Sequence, residues 1–569
     1  MMTRRRRLLL PALIGLFVFS FYVFTAPNDL QNNGDTWLRY QTTQSLVDDG
    51  HIYVTQPRWT DKRMVNGVDN KLYTIYDPGQ IVAMAPLYVV GKFLAHHVTG
   101  DYIWTPIYTT HLLDDIFGAL LAIVFFLLAL RLGYSRRVAT VLTAIYALAT
   151  VAWPDAESML EHTQVTFFLA LSVLCSLIFV QRGLRQRVWV AAASLSLGCA
   201  FLTRYDTGIL YPLIPLYLAG ARLAVRKPYI HAVSQDETGD SLRTLWHVIR
   251  RPRTDLKLLR GVALDWAVYL AGAAPAFAAA AVWNYARFGS VTKTGIPPTF
   301  GEPILQGLAG LTLSPGKGLL WYMPILFLLP FAVRQFYAQH RLTALLFAGI
   351  VVVELLLFSS VIYWHGDPAW GPRYIYPTVP FLVLPLGVLL ERWGTVKRGM
   401  KAAVVGLVAL SLGIQVIGTI TPQYRFWYKE IHAQLAAHQG FNWGYKRGQF
   451  WYFYYWNIDR SPILVGAQNL YEITALRLFG QKQYELSASP IPSNEHLDLA
   501  NPVHSYEINN YNLWWLATYA PFAGTHRDGI LAAFWFLLTA GSLVLVVREV
   551  TRAPSESERI VVELRRKPA

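Results

Sequence analysis

Apolar runs recur from one end of this 569-residue chain to the other, and they decide its solvent. An α-helix needs about 20 apolar residues to cross a bilayer. A backbone in lipid must also satisfy its own hydrogen bonds, which admits helices or a closed barrel. Hydropathy places about twelve spans, near 8–26, 111–130, 137–153, 163–181, 188–203, 207–225, 262–284, 318–335, 341–362, 374–391, 400–420 and 528–547. With 54% hydrophobic residues, 15% charged and a mean hydropathy of +0.31, the expected class is an all-α polytopic membrane protein. Cys175 and Cys199 both fall inside expected spans, which argues against a disulfide framework and a cysteine-based metal site.

Basic residues give the orientation. They cluster at Arg4 to Arg7, Arg131/Arg136/Arg137, Arg182/Arg185/Arg187, Arg222 to Arg260, Arg334/Arg341, Arg392 to Lys401 and Arg548 to Lys567. Every second loop is therefore basic and expected inside. Both termini lie inside on this reading, with 27–110, 154–162, 204–206, 285–317, 363–373 and 421–527 outside. No small-residue cleavage motif follows the first apolar run, which reads as a retained helix. The stretch Ile81 to Leu94, broken by Pro86, Gly91 and Lys92, reads as a helix lying in the membrane interface. The net charge of +15 then reflects this bias and contact with anionic lipid; no nucleic-acid module is visible. The expected organisation is a transmembrane module over 1–420, a cytoplasmic loop at 226–260, an aromatic-rich external loop at 421–527, a last span and a basic tail at 548–569.

The polar residues that interrupt this pattern crowd the outer face. Moving a charge to the bilayer centre costs roughly 2.5 to 3.5 kcal/mol on insertion scales, so such groups face water, a cavity or a ligand. The string YWHGDPAWGPRY, from Tyr363 to Tyr374, sets Trp364, His365, Asp367, Trp370, Arg373 and Tyr374 between two apolar runs. Its aromatic rings suit stacking on a sugar or a prenyl chain, and equally suit interfacial anchoring. WPDAESMLEH supplies Asp155, Glu157, Glu161 and His162, with Glu157 and Glu161 on one helical face.

Arg204 in LTRYDTG either neutralises Asp206 or binds a phosphate through two parallel hydrogen bonds. Lys317 in LSPGKGLLWYMP is a third cation, or a snorkelling lysine; the string lacks the spacing of a nucleotide phosphate loop. Three separated cations at one face suggest an anionic head group. Asp35 opens an amphipathic stretch over Thr36 to Leu46, where it can serve as an N-cap. His111 and Asp114 are weak metal candidates; their spacing matches no recognised ligand signature, and lining a cavity suits them better.

Taken in order, an acidic external loop after the first helix, YDPGQ before an apolar helix, LSPGKGLLWYMP and WGPRYIYPTVPFL resemble the GT-C superfamily of integral membrane glycosyltransferases. The protein O-mannosyltransferase-like and aminoarabinose-transferase-like families are nearest in pattern, over roughly residues 8–420. The resemblance implies transfer of a sugar from a polyprenyl-phosphate donor to a glycan, lipid or protein acceptor outside the membrane. Asp35 matches the family's catalytic base. Relatives often show an acidic pair there; Thr36 follows Asp35 here, so a second carboxylate would come from Asp155 or Glu157.

Arg373, Arg204 and Lys317 would then stabilise the leaving lipid phosphate. Tyr76, Glu161, His162, Trp364, His365, Asp367, Trp370 and Tyr374 would contact substrate. Direct displacement predicts inversion at the anomeric carbon, with no nucleotide or cofactor required and a divalent metal possible but not indicated. A transporter or lipid-linked-sugar flippase is the alternative class, although it would show inverted halves and charges near the midplane. A prokaryotic plasma membrane is the expected location.

Overall fold

A computed structural model describes residues 4–27, 34–55, 57, 63–225, 256–295, 300–366, 369–422, 425–426, 455–480, 510–516 and 527–552. Asp367, the segment 226–255 and most of the 421–527 loop lie outside the described residues. The chain is helical, with helices α1 (Arg4–Thr25), α2 (Gly34–Asp48), α3 (Pro78–Leu94), α4 (Trp104–Arg131), α5 (Arg136–Leu148), α6 (Ala152–Ala156), α7 (His162–Gln181), α8 (Val188–Thr203) and α9 (Leu213–Val225). After these come α10 (Leu256–Phe288), α11 (Ile304–Leu313), α12 (Leu329–Gln339), α13 (Arg341–Ser359), α14 (Arg398–Ile420), α15 (Pro462–Phe479) and α16 (Arg527–Thr551). A two-stranded antiparallel hairpin, β1 (Met64–Asn66) and β2 (Leu72–Thr74), pairs Met64 with Thr74. Asp69 and Asn70 turn it at φ 55°, a left-handed conformation that these two residue types tolerate.

Among the described helices, ten are long and apolar enough to cross a membrane. Nine of the expected spans are in that set. Those at 137–153 and 188–203 are helices of 13 and 16 residues. The one at 318–335 breaks at Pro324 into Leu319–Tyr322, a 3₁₀ turn and α12, because proline cannot donate into a helical ladder. Pro377, Pro380 and Pro385 similarly divide Arg373–Glu391 into short α and 3₁₀ turns.

The tenth is the helix read from sequence as interfacial: α3 with its following π turn makes a continuous apolar segment, Pro78–Thr99. It begins with Gly79 against the end of α8 at Thr203, and Gly91 then lies against Pro106 and Thr109. Met84 packs with Leu113. α3 thus runs antiparallel to the first half of α4.

Side-chain interlocking holds the bundle, since lipid supplies no hydrophobic drive between helices. The Tyr22 ring sits where a Cβ on Gly118 would be, 2.7 Å from its nearest ring atom. Phe125 and Tyr146 stack at 4.4 Å between ring centroids. Two polar seams pin the ends. At one, Asp265 of α10 binds Arg187 at 2.9 Å and Arg222, joining α8, α9 and α10. At the other, the start of α2, the short α6, the start of α7, the end of α8 and Arg373 bring their charged groups within reach of one another.

Candidate active site

The convergence begins at Asp35. It falls within the first turn of α2 instead of before it, and its carboxylate Oδ1 accepts a hydrogen bond from the Tyr76 hydroxyl at 2.6 Å. Arg63, just before β1, pairs with the same oxygen at 3.3 Å. Burial alone would raise the Asp35 carboxyl. Arg373, Arg39, the Tyr76 hydroxyl and Arg63 outweigh it and hold the group below its ordinary value.

Arg39 links this carboxylate to the second acidic loop. One turn along α2, its guanidinium lies over the Tyr76 ring at 4.1 Å and binds Glu161 at 2.7 Å. Glu161 is also buried, yet Arg39, His162 and Arg204 keep its carboxyl well below the carboxylate range. His162 opens α7, with Nδ1 at 3.5 Å from Asp155, which in turn accepts from the Thr163 hydroxyl at 3.0 Å. Asp155 therefore reaches the surroundings of Asp35 through His162, Glu161 and Arg39.

Arg204 and Arg373 approach from the other side. Arg204 pairs with Asp206 at 2.8 Å and with Glu354 at 3.6 Å, and lies over Phe358. Burial would lower the Arg204 pKa, but these acids and Glu161 raise it. Phe358 stacks on Tyr374 at 5.1 Å, and Tyr374 meets His162 edge-on. Arg373 is buried beside Tyr374 and Gly366, within electrostatic reach of Asp35 and Arg39. Asp35, Tyr76, Asp155, Glu161, His162, Arg204, Arg373 and Tyr374 thus share one polar region.

Other sequence candidates go elsewhere. Glu157 accepts from the Thr25 hydroxyl at 2.7 Å and Trp153 Nε1 at 3.0 Å, tying α1 to α6. Burial pushes its carboxyl well up. Lys317 does not snorkel: it is fully buried and donates to the carbonyls of Ala369 and, at 3.3 Å, Gly371. It holds the turn that leads to Arg373. Trp370 packs edge-on against Tyr322 and over Gly418. Trp364 lies over Gly310, and His365 meets the Tyr455 hydroxyl at 3.2 Å.

His111 and Asp114 are buried in α4, and no group of three or more His, Cys, Asp or Glu is arranged to hold a metal ion among the described residues. Arg39, Arg63 and Glu354 were not singled out from sequence. Two carried a signal: Asp35 and Arg39 are four apart on one helix, and Glu354 stands alone in an apolar run.

Residues 90–280 match the family described as dolichyl-phosphate-mannose-protein mannosyltransferase. That segment contains Asp155, Glu161, His162 and Arg204, but neither Asp35 nor Arg373. Similar solved structures include ArnT from Cupriavidus metallidurans bound to undecaprenyl phosphate, with TM-score 0.42 and 16% identity over 99% of this chain and 81% of that one. The apo oligosaccharyltransferase of Archaeoglobus fulgidus gives 0.41 and 13%, over 80% of this chain and 60% of that one. AglB from the same organism, with an inhibitory peptide and a dolichol-phosphate, gives 0.40 and 13%, over 79% and 59%. No curated protein matches in sequence. The helices define the class: a predominantly helical, multi-pass membrane protein. Within it, the chain is similar to the GT-C glycosyltransferases, through residues 90–280 to the protein mannosyltransferases among them.

Proposed function

We propose that this chain transfers a sugar from a polyprenyl-phosphate donor to an acceptor hydroxyl of a glycan, lipid or protein at the external face of its membrane. The observation that carries the reading is the Asp35 carboxylate, hydrogen-bonded by Tyr76, paired with Arg63 and within electrostatic reach of Arg39 and Arg373, at one end of the helical bundle. A hydroxyl must lose its proton as it attacks the anomeric carbon, and Asp35 is the general base for that step. Being held ionised, it is a weak base. It accepts the proton late, once the forming bond has acidified the hydroxyl.

The leaving lipid phosphate gains charge as its bond to the sugar breaks, and fixed guanidiniums stabilise that charge without reorganising. Arg373 and Arg204 take this role. Lys317 acts behind them by holding the 369–371 turn. Asp155 is a better second carboxylate than Glu157, which is committed to Thr25 and Trp153. Displacement with no covalent intermediate inverts the anomeric carbon. The positive-inside rule puts the basic seam around Arg187 and Arg222 in the cytoplasm and this site outside. A flippase would need its charges near the midplane instead.

The test is incubation of wild type and Asp35→Asn with a panel of polyprenyl-phosphate sugars, plus glycan and lipid extracts, following donor by mass spectrometry. Turnover by wild type alone is expected. Equal turnover by both would remove Asp35 from the role of base.

A further inference from the structure

Arg287 ends α10 and is buried completely, far in sequence from every residue of the acidic cluster. Its Nη1 donates to the carbonyls of Thr74 at 2.7 Å and Tyr76 at 3.0 Å. Its Nη2 donates to Asn284 Oδ1 at 2.9 Å and to the Thr294 carbonyl at 3.5 Å. The Phe288 and Trp283 rings lie beside the guanidinium at 4.7 and 5.3 Å. Gly67 brings the hairpin against the same helix end, where a Cβ would fall 2.0 Å from the Arg287 carbonyl.

Those bonds grip the backbone on both sides of Ile75, the segment that delivers the Tyr76 phenol to Asp35. The network continues to the other cation. Asn284 Oδ1 also accepts from the Tyr205 hydroxyl at 3.4 Å, while the Tyr205 amide donates to Asp77 at 2.9 Å, next to Arg204. Burying a guanidinium is costly unless its donors are satisfied; here Nη1 is spent on two backbone carbonyls of the segment that carries Tyr76 and Nη2 on Asn284 and Thr294, with Nε alone unpartnered among the described residues. Lysine, a point charge with a single ammonium, cannot span two carbonyls and Asn284 together.

We infer that Arg287 is a positioning residue for the reaction: it fixes Thr74 to Asp77 so that the Tyr76 hydroxyl stays on Asp35, and through Asn284 and Tyr205 it sets the turn that carries Arg204. This rests on the reading of Asp35 as the base.

The test compares Arg287→Lys, Tyr76→Phe and the double variant in the full chain, solubilised in detergent and checked for folding by gel filtration. Infrared difference spectroscopy reads the protonation midpoint of Asp35, its band identified by loss in Asp35→Asn; kcat and donor KM are read with the donor that wild type consumes. Arg287→Lys and Tyr76→Phe are each expected to move the midpoint up, and the double variant no further than Tyr76→Phe alone, because both act through one hydrogen bond. A misplaced base is expected to lower kcat about tenfold or more while donor KM holds.

Additive midpoint shifts, or a midpoint that Tyr76→Phe moves and Arg287→Lys does not, would overturn the inference. If Arg287→Lys does not fold, Asn284→Ala removes the partner that orients the guanidinium. A smaller upward shift supports the role of Arg287, and an unmoved midpoint rejects it. Failure of the base assignment would look different: Asp35→Asn would turn over donor at the wild-type rate whatever the midpoints do.

Discussion

Asp265 and Asp35 are both aspartates facing arginines, at opposite ends of the same bundle, and they do opposite work. Asp265 is 1% exposed and has both oxygens taken, by Arg187 and Arg222. Two cations close on one anion, and α8, α9 and α10 are stapled together. Asp35 keeps a quarter of its side chain exposed, with a hydroxyl and one guanidinium on Oδ1 and two more cations nearby. The difference lies in access. A buried ion pair can only hold; a part-exposed carboxylate among several cations can take a proton next to an anion.

Substitution should split the two sites cleanly. The largest effect expected is on chemistry: Asp35→Asn should lower turnover by about 10²- to 10⁴-fold, the usual worth of a general base, while the thermal midpoint stays near wild type. Asp265→Ala should do the reverse. Removing the shared anion strands two arginines, a loss of up to about 3 kcal/mol once the partial exposure of Arg187 is discounted. Turnover per folded molecule should hold, and thermal unfolding in detergent beside a donor-consumption assay reads both. If Asp265→Ala lost activity while keeping its stability, the contrast would collapse.

The pH dependence sharpens it further. Asp35 and Glu161 both have lowered carboxyls. Each therefore adds stability that is present above its unfolded value, near 3.8 and 4.5, and lost as pH falls through the folded one. Activity that needs ionised Asp35 should persist below the usual carboxylate range. Arg373→Gln removes the largest stabilising charge and should move the acid limb of kcat/KM upward; an unmoved limb would detach Arg373 from Asp35. The smallest effect belongs to Glu157→Gln. A neutral amide keeps an acceptor for Thr25 and Trp153, so stability should change by less than about 1 kcal/mol with turnover nearly intact.

What the sequence made legible was chemistry interrupting a membrane pattern. Asp35, Glu161, His162, Arg204 and Arg373 stood out because polar groups between apolar runs need a reason, and the fold brings them to one region. It was less informative about which way a side chain turns. Lys317 and Trp370 sit in motifs as conspicuous as Arg373, yet one holds backbone carbonyls and the other fills the space over Gly418. Glu157 shares a helical face with Glu161 in spacing, but a bend after α6 turns it to Thr25. Arg287 was invisible for another reason. The partners of its Nη1 are carbonyls more than 200 residues away, and carbonyls leave no mark in a sequence.

Single-turnover cleavage of the lipid-linked donor separates chemistry from binding most directly. Rapid-quench rates for wild type and Asp35→Asn would be compared at equal donor occupancy. Asp35 as the base predicts cleavage slowed at least about a hundredfold with donor affinity unchanged. Equal cleavage rates in the two proteins would contradict it.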